Sequence, residues 1–349
     1  MAHLREDHMH STLSGLGLTI PLLAAPMAGG SGTPALVSAA AGAGGLGFLA
    51  AGYKPPQVLA EQIAALRAQG IPFGVNVFAP NAVPVDPGSY RRYADAIQGE
   101  AGRYGLRISG DDPVEDDDNW ADKLDVLLAD PVPLVSFTFG VPEQAVVTAL
   151  RKAGTVVAQT VTSADEARQA AEAGADLLVV QASAAGGHSA TLTPQRIPPP
   201  TPIAELLAQV GQAVQLPLLA AGGLATSADV AAVLHAGAQA AMVGTVLLRT
   251  DESGASAPHQ AALADPAREA TVVTRAFTGR PARSLRNRFI DRYSAEAPSG
   301  FPALHHLTSP LRKAAADDPE MVPLWAGTGH RQARSEPAHS TLARLTAQL

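Results

Sequence analysis

The segment QASAAGGHSA, residues 181–190, carries the most specific pattern for chemistry in the chain. It follows a short apolar run, and Gly186 and Gly187 permit backbone conformations and close approaches that a side chain would block. His188 then stands at the carboxyl end of an expected strand. Imidazole titrates near neutrality, so a histidine there can serve as a general base or proton donor beside a bound ligand. The competing account is a loop histidine bonded to a carbonyl. Its position favours the chemical role.

Two glycine turns come next, AAGGLAT at 220–226 and MVGTVLL at 242–248. Each sets glycine between an apolar run and a helix start. Free backbone N–H groups at such turns, with a helix dipole behind them, bind a phosphate dianion. Gly223 and Gly244 would admit the phosphate closely, and the Thr245 hydroxyl can add a hydrogen bond. One turn of this kind is weak evidence; two after successive late strands are strong. Earlier in the chain, AAPMAGG (24–30) ends a run with Ala24, Pro26 and Met27, small enough to let a flat ring lie against backbone. A plain strand exit explains that segment equally well. Asn76, Gln159 and Gln181 are polar residues in otherwise apolar runs. Each costs about 1–3 kcal/mol if left unpaired, and three amides facing one mouth favour a ligand as the partner.

The remaining histidines are read as structural. His235 lies late in an alanine-rich helix, and His305 and His306 lack carboxylates at metal-ligand spacing. His3, His8 and His10 belong to a polar N-terminal arm, expected over residues 1–15. No cysteine occurs, which excludes disulfides, iron–sulfur clusters and thiol nucleophiles, and no metal site is expected. HExxH, P-loop and GxSxG patterns are absent.

These residues need elements to position them, and the apolar runs supply strands. They are LLAAPM (22–27), GLGFLA (45–50), PFGVNVF (72–78), PLVSFTFG (133–140), TVVAQTV (155–161), DLLVVQ (176–181), PLLAAG (217–222) and AAMVG (240–244). Short, continuously apolar segments indicate strands buried on both faces. Helical patterns alternate with them. SADEARQAAEAG has Ser163 as N-cap, Glu166 completing a capping box and Gly174 as the stop. TSADVAAVLHAG repeats that shape from Thr226 or Ser227 to Gly237, and VPEQAVVTALRKAG runs from Pro142 to Gly154. Eight such units predict a (β/α)8 TIM barrel rather than an open doubly wound sheet. The glycine turns follow the seventh and eighth strands, where barrels bind phosphate, and no GxGxxG follows the first.

The barrel core is expected over 16–250. Residues 79–131 read as an elaborated loop with one or two helices. Residues 251–349 read as an extension of helix, basic stretch (TRAFTGRPARSLRNRF) and Pro/His-rich tail that caps the mouth or wraps the side. Its last twenty or so residues read as a helix or a frayed end. RIPPP, ending at Pro200, reads as a stiff loop. A net charge of −7 gives no footprint for nucleic acid. The N-terminus shows no apolar leader and no unbroken apolar span of membrane length occurs, so a cytoplasmic enzyme off the membrane is expected.

Together, APM near the start, the asparagine of GVNVF, the AGGH turn, AGGLATSADVAAVLHAGAQAAMVGT and FTGRPARSLRNRF resemble the nitronate monooxygenase (2-nitropropane dioxygenase) family from about Leu22 to Ile290. The resemblance implies an FMN-dependent barrel without a metal. Ala24, Ala25, Pro26 and Met27 would contact the isoalloxazine, and Asn76 and Gln181 would hydrogen-bond the flavin. Gly186 would line it, while Gly222, Gly223, Gly244 and Thr245 would hold the phosphate. Gln159, Met242 and Val243 complete the expected cofactor-binding set, and His188 matches the family's active-site histidine. Ala184 stands where the family often has glutamate, Met242 where it commonly has glutamine, and Ala190 where glycine is usual. The implied reaction oxidises small alkyl nitronates or nitroalkanes with O2 to carbonyl compounds and nitrite. Two rivals stand beside it: an NAD(P)H reductase of quinones or enoyl thioesters, and a flavin-binding protein without efficient turnover, which Ala184 keeps open. A homodimer is among the assemblies the sequence allows.

Overall fold

A computed structural model of the chain describes residues 15–81 and 83–349. Residues 1–14 of the expected arm, with His3, His8 and His10, lie outside the described residues. The apolar runs become β1 (Leu22–Ala24), β2 (Leu46–Ala50), β3 (Phe73–Phe78), β4 (Leu134–Thr138), β5 (Val156–Val161) and β6 (Leu177–Gln181). A two-residue strand β7 (Gly187–His188) precedes β8 (Leu218–Ala221) and β9 (Ala240–Val243). All of these but β7 pair in parallel as a closed barrel, with β9 returning onto β1 through Leu23↔Met242. The fold is a (β/α)8 TIM barrel.

Between the strands run α1 (Pro34–Gly42), α2 (Pro56–Arg67), α3 (Pro87–Arg103), α4 (Trp120–Ala129), α5 (Gln144–Lys152), α6 (Ala164–Glu172), α7 (Ile203–Ala213) and α8 (Ser227–His235). Their starts follow the side chains available. Thr226 and Asp229 form a full capping box at α8. At α6 only half of the expected box is present. Ser163 caps the Glu166 amide, but the Glu166 carboxylate turns away to accept from Thr162 N and Oγ1, Thr191 Oγ1 and Leu192 N. Four donors on the barrel rim hold it more strongly than one N-cap amide could.

Side-chain alternation decides what each strand position can touch. Leu23, Leu46, Phe48, Leu134, Ala158, Leu177, Val179, Leu219 and Met242 point inward and fill the barrel's lower interior together with Leu16. Their neighbours Val161, Leu178, Val180, Ala220 and Ala241 point outward against the helices. Towards the carboxyl ends the inward positions turn polar, with Asn76, Thr138, Thr160 and Gln181, and there a cavity opens.

Residues 79–131 contain α3 and α4. Helix α4 covers the barrel through Leu124 and Leu127. After β9 come α9 (Ala257–Ala264), β10 (Thr271–Thr274), β11 (Ala282–Leu285), α10 (Arg288–Tyr293), α11 (Ala303–Ala314) and α12 (Ala338–Leu345). These elements both cap and wrap. Strand β11 joins β10 and β7 in a small antiparallel sheet, pairing Ala282 with His188 over the mouth. Helices α3, α10 and α11 share an apolar cluster beside it, including Tyr93, Phe277, Phe289, Leu304 and Leu311. The last segment is a packed helix rather than a frayed end, with Ala338, Leu342 and Leu345 buried in the barrel's outer cluster. No helix among the described residues is long and apolar enough to cross a membrane.

Candidate active site

At the carboxyl end of the barrel a cavity of about 400 Å³ runs from the late glycine turns, past the inward amides, to His188. Its first end is built from backbone. Gly222 and Gly223 have φ of +102° and +80°, a region that favours glycine, and a Cβ at residue 222 would lie 2.7 Å from the Ala182 carbonyl oxygen. Gly244 leads into a short 3₁₀ turn at Thr245–Leu247. Among the described residues nothing accepts from the amides of Gly222, Gly223, Gly244 or Thr245. A third turn reaches in from the extension: Gly327 N donates to Thr245 Oγ1 (2.9 Å) and Thr328 N to the Ala184 carbonyl (3.1 Å). Free amides with glycine clearance are the donor set a phosphate dianion requires, so these residues fit the phosphate that the resemblance implies.

The middle of the cavity is flat-sided. Ala25, Pro26 and Met27 line it, as do Val179, Ala221, Met242 and Val243. Asn76 donates to Ser136 O (3.2 Å), Ser136 Oγ (2.9 Å) and Thr138 Oγ1 (2.9 Å), and no described residue donates to its Oδ1. Gln181 lines the cavity too, yet its amide is engaged by the AGGH loop. Its Nε2 donates to the His188 carbonyl (3.3 Å), and its Oε1 accepts from Ala190 N (2.8 Å). Gln181 therefore positions the histidine loop. Gly186 packs where a Cβ would meet Gly327 N at 2.5 Å.

Two expected residues are not brought to the cavity. Ala24 faces outward into the cluster with Leu36 and Ala40. Gln159 sits on the outer face of β5, between the inward Ala158 and Thr160, and donates to Gly140 O (3.1 Å) and Thr160 O (3.2 Å). The period of two that turns Thr160 inward turns Gln159 out. Only two of the three amides share the mouth.

The other end of the cavity is aromatic and cationic. His188 Nε2 lies 3.0 Å from Thr278 Oγ1, and its ring meets Phe139, Phe301 and Trp325 at centroid distances of 5.8, 5.9 and 5.3 Å. Burial, then Arg280, then Arg312 push its pKa down to about 3. The imidazole is thus neutral at physiological pH, with its ring nitrogens unprotonated except for the one tautomeric proton. Tyr53 follows β2, and its ring stacks on His305 at 4.2 Å with planes 1° apart. Arg312, on the same helix as His305, also lines the cavity. Arg280 is buried above the Phe139 ring at 3.9 Å and donates through Nε to Ser189 O (3.1 Å) and through Nη2 to Thr191 O. A second buried histidine, His259, is within hydrogen-bond distance of the Trp325 carbonyl through Nε2 (3.1 Å), and burial lowers its pKa to about 4.

The sequence reading found the glycine turns, Asn76, Gln181 and His188, and missed this second wall. It gave His305 a bland role, whereas the structure sets it against Tyr53 on the cavity. His306 pairs with Asp116 at 2.8 Å, outside it. Among the described residues no group of three or more potential ligands gathers for a metal. One signal that the extension reaches the cavity was readable: AGTG at 326–329 resembles the two barrel glycine turns in composition.

The chain resembles known proteins over nearly its whole length. The family model described as nitronate monooxygenase matches residues 10–348. A probable nitronate monooxygenase from Staphylococcus aureus (strain Newman) is 33% identical over 344 residues, covering 96% of this chain and 95% of the relative. The crystal structure of a nitroalkane oxidase from Streptomyces ansochromogenes superposes with a TM-score of 0.91 at 48% identity, covering 97% of this chain and 98% of that one. FabK from Thermotoga maritima is more distant, with a TM-score of 0.72, 26% identity and coverage of 96% and 94%.

Proposed function

The chain belongs to the nitronate monooxygenase family, and from that premise we propose that it binds FMN and oxidises alkyl nitronates, or the acidic nitroalkanes that form them, with O2 to carbonyl compounds and nitrite. The observation that carries the reading is a neutral, half-buried His188 at one end of a cavity whose other end is a cradle of free amides. FMN, when bound, would supply the redox chemistry of the reaction. The Gly222–Gly223 and Gly244–Thr245 turns would hold its phosphate. Asn76 Oδ1 and the backbone of Ala25 to Met27 would face the ring. In the balance, two nitroalkanes and one O2 give two carbonyl compounds and two of nitrous acid.

The chain's own residues account for substrate activation. With Nε2–H donated to Thr278 Oγ1, His188 keeps its Nδ1 lone pair for the α-proton of a neutral nitroalkane. Phe139, Phe301 and Trp325 exclude water around that nitrogen. A preformed nitronate needs no such base. His188→Asn should therefore reduce turnover of a neutral nitroalkane more than turnover of its nitronate, and equal losses would remove the base role. The test of the whole reading is optical. The purified protein should be yellow, release FMN on denaturation, and bleach anaerobically with propyl-2-nitronate. Rapid bleaching by NADPH without a response to nitronate would replace this reading with the NAD(P)H reductase. A colourless protein whose melting temperature FMN does not raise would end the cofactor argument.

A further inference from the structure

Beside His188 the cavity holds two polar groups that the reaction so far leaves unused. Tyr53 is half-buried, and its Oη is shielded from solvent without any hydrogen-bond partner among the described residues. A buried hydroxyl without a partner is costly, and a native structure keeps one where something else satisfies it. Its backbone is costly too. With φ of +64°, Tyr53 occupies the left-handed region, as does Phe139 at +82°, and both rings face this cavity. Bulky residues held in that region carry strain that the surroundings must enforce. Here Tyr53 N donates to Asp118 Oδ1 (3.0 Å), and Asp118 pairs with the buried Lys123 at 2.7 Å. The ring is fixed from below, with its hydroxyl left over.

Arg312 is the second group. Its Nη2 donates to the His305 carbonyl (2.9 Å) and lies 3.3 Å from His305 Nδ1, while Nε donates to Thr308 Oγ1 (3.0 Å). No carboxylate among the described residues pairs with it. Arg280 differs, because a carboxylate, Glu166, acts on it beside Tyr53, and both Arg280 and Glu166 bond to Thr191. Burial lowers the Arg312 pKa, and the group set against that shift is Tyr53, whose own pKa burial raises so that it stays a neutral phenol. A partly desolvated guanidinium without a counter-charge is costly. It becomes favourable once an anion shares the cavity.

We propose that Arg312 and Tyr53 form the site that holds the oxygens of an anionic substrate, binding a planar monoanion of the O–X–O type beside His188. The proposal rests on the nitronate reading and deepens it. The two oxygens of a nitronate, or of a nitro group becoming one, take hydrogen bonds from the Tyr53 hydroxyl and the Arg312 guanidinium. His188 is then left to move the proton rather than to bind charge. Stabilising the developing anion also lowers the barrier to that proton transfer.

The test uses the holoenzyme with isobutyrate, a carboxylate of nitronate shape, and with isobutyramide as its uncharged partner. Both are titrated by the change they cause in the visible spectrum. Arg312→Met should weaken isobutyrate at least tenfold and leave isobutyramide within about twofold. Arg312→Lys should fall between, and Tyr53→Phe should weaken isobutyrate severalfold. KM for propyl-2-nitronate should rise in parallel with the isobutyrate Kd. If Arg312→Met does not fold, Arg312→Lys and Tyr53→Phe carry the test. Equal weakening of both probes, no weakening of either, or no binding of isobutyrate by the wild type each overturns the site. Nitronate turnover with isobutyrate binding insensitive to Arg312 overturns the site alone. Isobutyrate binding that depends on Arg312, in a protein that does not oxidise nitronates, overturns the substrate reading and leaves the site standing.

Discussion

Acid should destabilise this protein through the same burial that keeps His188 neutral. In the unfolded chain His188 titrates near 6.5, and in the fold its pKa is pushed down to about 3. Above pH 6.5 the imidazole is neutral in both states and the shift costs nothing. As pH falls below 6.5 the unfolded state takes up a proton that the folded state refuses, so stability is lost progressively until about pH 3. At pH 5 the unfolded state is favoured by about 2 kcal/mol on this account alone, taking 1.36 kcal/mol per pK unit over the roughly one and a half units below 6.5. The assay is urea unfolding at pH 7 and pH 5 with FMN saturating, for the wild type and for His188→Asn. Other titrating groups act on both proteins and cancel in the comparison. The wild type should lose about 2 kcal/mol more than the variant between the two pH values. Equal losses would mean that His188 protonates in the fold near its ordinary pKa, and burial would not be depressing it.

Three further outcomes follow from the site. In kcat/KM for a neutral nitroalkane, which reports the free enzyme, the acidic limb should not fall near pH 6.5 but towards the depressed His188 value; a limb at 6.5 in a pH-rate profile contradicts it. Gly222→Ala places a Cβ 2.7 Å from the Ala182 carbonyl oxygen at φ +102° and so distorts the amide cradle; FMN affinity, read by fluorescence quenching, should fall at least tenfold, and unchanged affinity would move the phosphate elsewhere. Glu166→Gln replaces one acceptor oxygen with a donor where four donors converge, and should lower stability by about 2 kcal/mol or more in urea unfolding, the range for a buried charge-assisted acceptor.

The barrel was legible because its strands are buried on both faces and therefore read as unbroken apolar runs. That same continuity hides parity. In TVVAQTV the adjacent Gln159 and Thr160 cannot both face the interior, and nothing in the run says which does. Register with β4 and β6 settles it, with Phe137↔Gln159↔Leu178 on the outer face and Thr160↔Val179 on the inner. Ala24 was misplaced for the same reason. The glycine turns were legible because their requirement is local: the positive φ of Gly222 and Gly223 and the unpaired amides at Gly244 and Thr245 each belong to one short segment. Glu166 was read as a capping partner because three-residue spacing is all the sequence offers. Its four actual donors include Thr191 and Leu192, some 25 residues away.

The second wall escaped for a physical reason that also divides the labour of the site. Tyr53, Phe139, His188, Phe301, His305, Arg312 and Trp325 meet in one cavity, but they come from the ends of three barrel strands and from the extension. No periodicity links them, and no single segment has to satisfy a local rule. On the proposed reading the barrel turns supply amides that would recognise a phosphate whatever the substrate. The extension supplies aromatic residues and the Arg312 cation, which would meet the substrate. Gly327 joins the two, donating to Thr245 at the phosphate end while Trp325, two residues earlier, packs on His188. A change in the extension therefore alters which anion is accepted without touching the phosphate cradle, provided the turn at 326–329 is kept. Arg312→Met should accordingly bind FMN as the wild type does while losing its anion, whereas Gly327→Ala, whose Cβ would lie 2.6 Å from the Ala184 carbonyl oxygen, should weaken both. If Gly327→Ala lowers isobutyrate affinity with FMN binding intact, the two ends are not coupled through this turn.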